Sequence, residues 1–422
     1  MNTKVAVIKN TGSQIIGKII SGGTTFLISI LLARSLGPVG FGDFTKITTF
    51  IPLFYLLNDF GLNAAYLTIR TKFKRPEMFA TLGFVRILFS LILMFLSLAF
   101  TIFLPGSNGT GYHPLVKIGI ILFAPSILFQ ALITTANALF QEHLSYEKST
   151  FAILIGSFTT LTFLFFITPL FVPEAALLVS IIALLVGSGI TAFLSFIFAR
   201  NFLKDIPFRI SKSDVRLLLW TSIPLGMTLL TNVIYSHADS IILTVTRTTR
   251  EVGIYGLAYK IFEFPLAIPT FFMNAMFPLF LNAKENPILL KSRLRKTMVL
   301  LFIMGVVSAL LGWLTSPYLI LIRPDFQESV PLLRILVTGL PIFFLTSFTM
   351  WTLVTFEKRW ILFSIYSIFM LVNIIANILF IPVYGATASA YITILSELGI
   401  LIVSSIFLFS YTKDNRNSLT SV

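Results

Sequence analysis

Residues 78–104 read MFATLGFVRILFSLILMFLSLAFTIFL, a run of 27 residues in which Arg86 is the one ionisable side chain. A helix needs about 20 predominantly apolar residues to cross the hydrocarbon core of a bilayer. This run meets that length with turns to spare. Stretches of the same character recur at 13–34, 43–66, 116–139, 150–171, 175–199, 218–246, 253–281, 297–318, 329–354, 360–382 and 386–411. The expectation is an all-α integral membrane protein with about twelve transmembrane helices, a multi-pass protein of the cell (inner or plasma) membrane. Several of these spans carry Pro or Gly, which membrane helices tolerate better than soluble ones.

Composition points the same way. Of the 422 residues, 56% are hydrophobic and 11% charged, where a soluble domain carries about 25% charged residues. The net charge of +14 raises the question of nucleic acid. Its basic residues form no stripe, arm or aromatic-interleaved patch of the kind nucleic acid requires. They fall in short clusters between apolar runs, as topology signals do, and no nucleic-acid partner is expected. The chain has no cysteine, which excludes disulfides, thiolate metal sites and cysteine nucleophiles. The opening MNTKVAVIKNTG lacks the apolar core and small-residue cleavage site of a signal peptide, so the first apolar run is expected to be a retained helix.

Orientation follows from the Lys and Arg between spans. With the N-terminus inside, the cytoplasmic segments hold 21 of the 31, the outer segments five and the spans themselves five. That bias places both termini in the cytoplasm. No loop exceeds about 20 residues, which leaves no room for an extramembrane catalytic domain. The connection 200–217 reads as a linker between an N-terminal six-helix bundle, 1–199, and a C-terminal one, 218–422. Two weak internal repeats support the division. Tyr146-Glu147-Lys148 and Phe356-Glu357-Lys358 precede the fifth and eleventh spans, and Val39-Gly40-Phe41 with Lys46-Ile47 is echoed by Val252-Gly253-Ile254 with Lys260-Ile261. Parallel repeats are a common plan in transporters.

Charges inside the spans are the candidate functional residues, because a charge at mid-bilayer costs roughly 2.5–3.5 kcal/mol on insertion scales. Lys18, Lys46, Arg86, Lys260 and Arg334 stand against the acids Asp239, Glu263 and Glu397. Five bases against three acids suggests a cationic lumen and an anionic cargo. Each has a structural reading beside the functional one. Lys18 can snorkel to the interface, and Arg334 can sit at the outer surface. Lys260 and Glu263 are spaced to neutralise each other on one helix face. Arg86, some ten residues deep, is harder to explain by snorkelling. Asp239 follows His237 in a stretch with Asn232 and Ser236, which favours an internal face. Asn373 with Asn377, and Thr393 with Glu397, are i,i+4 pairs suited to interhelical hydrogen bonding as much as to transport. The three histidines have no metal-ligand spacing and no P-loop pattern is present. No metal, cofactor or enzymatic activity is therefore expected.

The residues also carry a resemblance. Ala33-Arg34-Ser35-Leu36-Gly37-Pro38, Phe41-Gly42 and Asp59-Phe60-Gly61-Leu62 are similar to the opening of the polysaccharide (O-antigen type) flippases, or Wzx proteins, of the MOP/MATE superfamily. The second half opens similarly, with Pro224, Asp239, Val252-Gly253-Ile254-Tyr255, Tyr259-Lys260 and Phe277-Pro278. It closes on Ile381-Pro382-Val383-Tyr384-Gly385-Ala386 and Ser396-Glu397. Thr387 and Ser389 depart from the small residues usual there. The resemblance implies two six-helix bundles around a central cavity. It implies as cargo a polyprenyl-pyrophosphate-linked oligosaccharide, moved from the cytoplasmic to the outer leaflet by alternating access for surface polysaccharide such as lipopolysaccharide O-antigen. It carries Lys46, Arg86 and Lys260 over as the cationic site, Lys18 and Arg334 as weaker members, and Asp239 and Glu397 as sites coupling to H+ or Na+. Polysaccharide-assembly membrane proteins are the expected protein partners, beside membrane lipid. The rivals are a cation-coupled drug or metabolite exporter of the same superfamily, a lipid II flippase, and a membrane glycosyltransferase or polymerase.

Overall fold

The computed structural model describes the backbone of residues 3–73, 75–107, 109–204, 206–284 and 286–420. Side chains are described over 20–410 apart from 74, 108, 169, 205, 228, 232, 233 and 285. By packing, the chain forms two compact units, Met1–Gly253 and Ile254–Val422. The first unit contains α1 (Thr3–Asp59), α2 (Leu62–Phe73), α3 (Met78–Phe103), α4 (Pro114–Phe123), α5 (Ser126–Glu142), α6 (Glu147–Ile167), α7 (Pro173–Leu203) and α8 (Lys212–Thr246), with a two-stranded hairpin pairing Gly106–Ser107 and Thr110–Gly111. The helix α9 (Thr249–Glu263) runs across the boundary. The second unit continues with α10 (Ala267–Asn282), α11 (Pro287–Thr315), α12 (Leu319–Ile322), α13 (Ser329–Thr338), α14 (Leu340–Thr355) and α15 (Arg359–Thr420).

Among the described residues nine helical stretches are long and apolar enough to cross a membrane, and the bent pair Lys212–Thr231 and Ile234–Thr246 makes a tenth. Two of the nine, Ile20–Phe73 and Arg359–Ser410, run to 54 and 52 residues. Each is broken by a glycine in the left-handed region, Gly37 at φ 67° and Gly385 at φ 63°. L side chains rarely adopt that conformation. At 1.5 Å per residue each run is more than twice the ~30 Å hydrocarbon thickness.

The helices bury polar groups within an apolar core and expose large apolar side chains. In α3 the buried set includes Arg86, Ser90, Ser97 and Thr101, while Phe95, Phe100, Ile102 and Phe103 are exposed. A soluble protein reverses this order. In lipid it is the favourable one, because the surroundings are as apolar as leucine and the polar groups need partners within the bundle.

Close packing rests on small residues. A Cβ on Gly156 of α6 would lie 2.0 Å from Thr191 Oγ1, and one on Gly187 of α7 would lie 1.9 Å from Thr160 Oγ1. The Thr160 and Thr191 hydroxyls donate back to the carbonyls of Gly156 and Gly187 at 3.0 and 2.9 Å. Two interlocked Gly-x-x-x-Thr pairs thus let the two backbones approach. The turns before α6 and before α15, both marked by the repeated Glu-Lys pair, contain non-glycine residues at positive φ, Leu144 and Glu357. Lys284 Nζ donates to Glu357 Oε1 at 2.6 Å and holds that carboxyl below its usual range.

Overpacking a close interface costs about 1–3 kcal/mol, so Gly187→Val should lower the thermal unfolding midpoint of the purified protein by several degrees. Gly23→Ala, with nothing within 4 Å of its added carbon, should leave it unchanged or slightly raised. Equal effects from the two would contradict the packing account.

Candidate functional site

The Arg86 guanidinium has no exposed surface. Its Nη2 donates to Asp59 Oδ1 at 2.8 Å and its Nη1 to Asn63 Oδ1 at 2.8 Å, with Thr135 Oγ1 at 3.5 Å. Asn63 in turn donates to the carbonyl of Thr134 at 3.1 Å. The Asp-Phe-Gly-Leu motif explains why the carboxylate is available there. Helix α1 ends at Asp59, Phe60 and Gly61 take positive φ of 32° and 73°, and α2 restarts at Leu62. The Phe60 ring lies against Gly226 of α8, where a Cβ would come within 2.4 Å of it. Asp59 itself is about one-third exposed, so a buried cation is turned outward through its partner acid.

Lys46 is equally buried. Its Nζ donates to Thr249 Oγ1 at 2.5 Å and lies 3.4 Å from Asp43 Oδ1. His113 Nε2 donates to the same Asp43 oxygen at 2.9 Å. Thr249 is fixed from a third side, its N–H donating to the carbonyl of Gly109 at 2.8 Å, and Thr110 bridges to Thr248. The backbones meet closely here. A Cβ on Gly42 would lie 2.0 Å from the Thr249 carbonyl, and one on Gly253 1.9 Å from that of Pro38. The glycines of the Phe-Gly and Val-Gly-Ile motifs are therefore needed for helix approach, which puts Lys46 within reach of Thr249, 203 positions away in sequence.

The other predicted bases fall elsewhere. Lys260 Nζ donates to Glu263 Oε2 at 2.9 Å, a partly exposed i,i+3 pair. Arg334 lies over the Trp313 ring at 4.4 Å, and its Nε donates to Ser316 Oγ at 3.0 Å. The side chain of Lys18, like that of Asn232, lies outside the described residues. Among the polar groups, Asp239 is buried and accepts from the Ser240 N–H at 2.7 Å. In the second unit Asn373 Nδ2 donates to Ser396 Oγ at 3.0 Å and Asn377 Nδ2 to Asn373 Oδ1 at 2.8 Å. Asn377 Oδ1 is buried with no hydrogen-bond partner, and Glu397, beside Ser396, is buried too. Asn373, Asn377 and Ser396 form one polar node with an acceptor to spare.

Comparison with known proteins identifies the family and the fold. Residues 7–284 match the family described as "Polysaccharide biosynthesis protein". The chain belongs to this family. Among solved structures it is similar to the lipid II flippase MurJ, at 17% identity and TM-score 0.78, covering 94% of this chain and 87% of that one. It is similar also to a multidrug resistance MATE family transporter of the MOP superfamily, at 14% identity and TM-score 0.73, covering 97% and 96%. A MOP superfamily transporter from Pyrococcus furiosus aligns at 14% identity and TM-score 0.66, over 97% and 95%. No curated protein sequence matches. The chain thus has the fold of MOP-superfamily transporters, proteins that move molecules rather than convert them, and it is a multi-span membrane protein.

One expectation is corrected. The embedded acids number five rather than three, because Asp43 and Asp59 fall within the span 43–66; Arg34 and Lys117 fall within 13–34 and 116–139, so the bases number seven and still exceed the acids by two. Asp43 and Asp59 are engaged by the bases they offset. The signal was available: Asp43 stands one helical turn before Lys46, the same i,i+3 spacing that identified Lys260 and Glu263. Asp59, 27 positions from Arg86, carried no such local cue.

Removing one member of a buried ion pair costs about 3–5 kcal/mol, because it strands the other charge. Lys46→Met and Asp43→Leu should each lower thermal stability sharply, and the double variant should recover most of the loss. Additive effects in that cycle would show that the two side chains are not coupled.

Proposed function

We propose that this protein is a flippase that moves lipid-pyrophosphate-linked oligosaccharide units from the cytoplasmic to the outer leaflet for surface polysaccharide synthesis. The observation that carries the reading is the family match over residues 7–284. The MOP-transporter fold supports it, as does a set of cations held inside apolar spans. The reading includes twelve crossings with both termini cytoplasmic, in two six-helix halves, 1–199 and 218–422, joined at 200–217.

The pairing of the bases refines how an anionic head group would be held. Lys46, Arg86 and Lys260 do not stand as free positive charge. Each is engaged by Asp43, Asp59 or Glu263. A pyrophosphate would bind by exchange, taking over hydrogen bonds that a carboxylate makes in its absence, and would return the base to that carboxylate on release. Such exchange suits alternating access around a fixed site, because the cationic site need not stay unpaired at any stage. Asp239 and Glu397, with Asn373 and Asn377, are the proposed sites of coupling to H+ or Na+. Lys18 and Arg334 are the weaker members of the proposed cationic set.

The pairing of Lys46, Arg86 and Lys260 with acids keeps one rival open, a cation-coupled exporter, since paired bases argue less strongly against a cationic cargo than free ones would. Deletion of the gene separates the two. The flippase reading expects the lipid-linked repeat unit to accumulate on the cytoplasmic leaflet while surface polymer is lost. Normal polymer display with raised sensitivity to cationic toxic compounds would support the exporter. At the residue level, Arg86→Ala, Lys46→Ala and Lys260→Ala should each cut surface polymer about tenfold or more, the scale expected when one charge-assisted hydrogen bond to the cargo is removed. Unchanged polymer in all three at normal protein levels would remove the cationic site.

A further inference from the structure

Where α8 begins, Lys212, Arg216 and Trp220 follow one another at four-residue spacing on a single helix face. Together with Val215 and Leu219, and with Phe84 of α3, they line a cavity of about 550 Å³. None of the residues lining it is acidic. Lys212 and Arg216 are exposed and make no ion pair among the described residues, and Trp220 is 65% exposed. The acid on the same stretch, Asp214, points away from them. It is buried and taken by Arg75 at 2.5 Å.

Two other basic residues at this end of the helices are engaged. Arg70 Nε donates to Glu142 Oε1 at 2.7 Å, and the second oxygen of that carboxylate accepts from Tyr66. Lys148 lies 4.0 Å over the Phe202 ring and donates to the carbonyl of Phe198 at 3.3 Å. Lys212 and Arg216 are two uncompensated positive charges on the rim of a cavity whose floor is apolar. A tryptophan lies about 12 Å further along the helix, the distance of eight residues at 1.5 Å each. Tryptophan favours the level of lipid head groups, and exposed basic residues beside it attract anionic lipid.

We infer that this cavity is a binding site for the head group of an anionic phospholipid. Its phosphate would lie between Lys212 and Arg216, and the glycerol and first acyl carbons against Trp220, Leu219 and Phe84. The volume accommodates such a head group and the start of its chains. Beyond Lys212 and Arg216 the cavity's lining is apolar or aromatic and offers little to bond sugar hydroxyls, which favours a structural or regulatory lipid over the cargo. The site does not depend on what the protein transports.

The test is native mass spectrometry of the purified full-length chain with dioctanoyl phosphatidylglycerol and dioctanoyl phosphatidylcholine. The expected result is a preference of about tenfold or more for phosphatidylglycerol. It should fall about fivefold for Lys212→Gln or Arg216→Gln alone and further for the double variant. It should persist in the charge-preserving pair Lys212→Arg and Arg216→Lys, whose retained binding also certifies folding. No preference in the parent protein, or a preference unchanged in the double Gln variant, would overturn the assignment. If undecaprenyl phosphate outcompetes phosphatidylglycerol for the binding that depends on Lys212 and Arg216, the cavity belongs to the lipid carrier and the phospholipid assignment fails.

Discussion

A guanidinium with no exposed surface, set in an apolar helix, has to be answered by the rest of the bundle. Leaving Arg86 unpaired at membrane depth would cost several kcal/mol. The Asp-Phe-Gly-Leu motif of α1 and α2 meets that demand. The helix stops at Asp59, the chain turns through Phe60 and Gly61, and the carboxylate, with Asn63 one turn on, reaches Arg86 from the side. The same break seats the Phe60 ring against Gly226, so electrostatic satisfaction of α3 and the packing of α8 are settled at one place. Asn63 reaches on to the carbonyl of Thr134, tying α5 into the arrangement. Helices with no apolar driving force between them in lipid need such polar ties to choose their neighbours.

A second tie of the same kind secures the neighbourhood of Lys46. There the ammonium, two acceptor side chains and a histidine gather where Gly42 and Gly253 let backbones touch. In both places the candidate base comes with a partner acid rather than as a bare cation. For a transporter this has a mechanical consequence. A base parked on its own acid can be presented to an anionic group and withdrawn without the full cost of a desolvated charge at any step.

The apolar runs were legible because their length alone decides between crossing and not crossing. The single charges inside them were legible because each stands out against its run. Lys260 with Glu263 could be read as a pair, since one helical turn is a local distance. Asp43 beside Lys46 has the same spacing, but it opens its span, where a charge reads as interfacial. Thr249 as the partner of Lys46, and Asp59 as that of Arg86, were out of reach. These contacts join distant segments and depend on the helix break at Gly61 and the close approach at Gly42, neither of which periodicity reveals. The motif glycines carry a resemblance in the sequence, and their physical reason is visible only when the backbone across from each is known. The pair Lys212 and Arg216 looks like part of an ordinary positive-inside cluster. Its distinction, the absence of acids and the adjoining cavity, is a property of the folded surface.

The central claim is that the chain carries a lipid-linked oligosaccharide across the bilayer. Reconstitution tests it most directly. Purified protein is placed in vesicles with a fluorescent polyprenyl-pyrophosphate oligosaccharide, and the fraction that becomes accessible to a membrane-impermeant glycan reagent is followed in time. The account predicts that accessibility rises with wild-type protein and stays near the protein-free level with Arg86→Ala. Equal, protein-independent accessibility in all three preparations would contradict it.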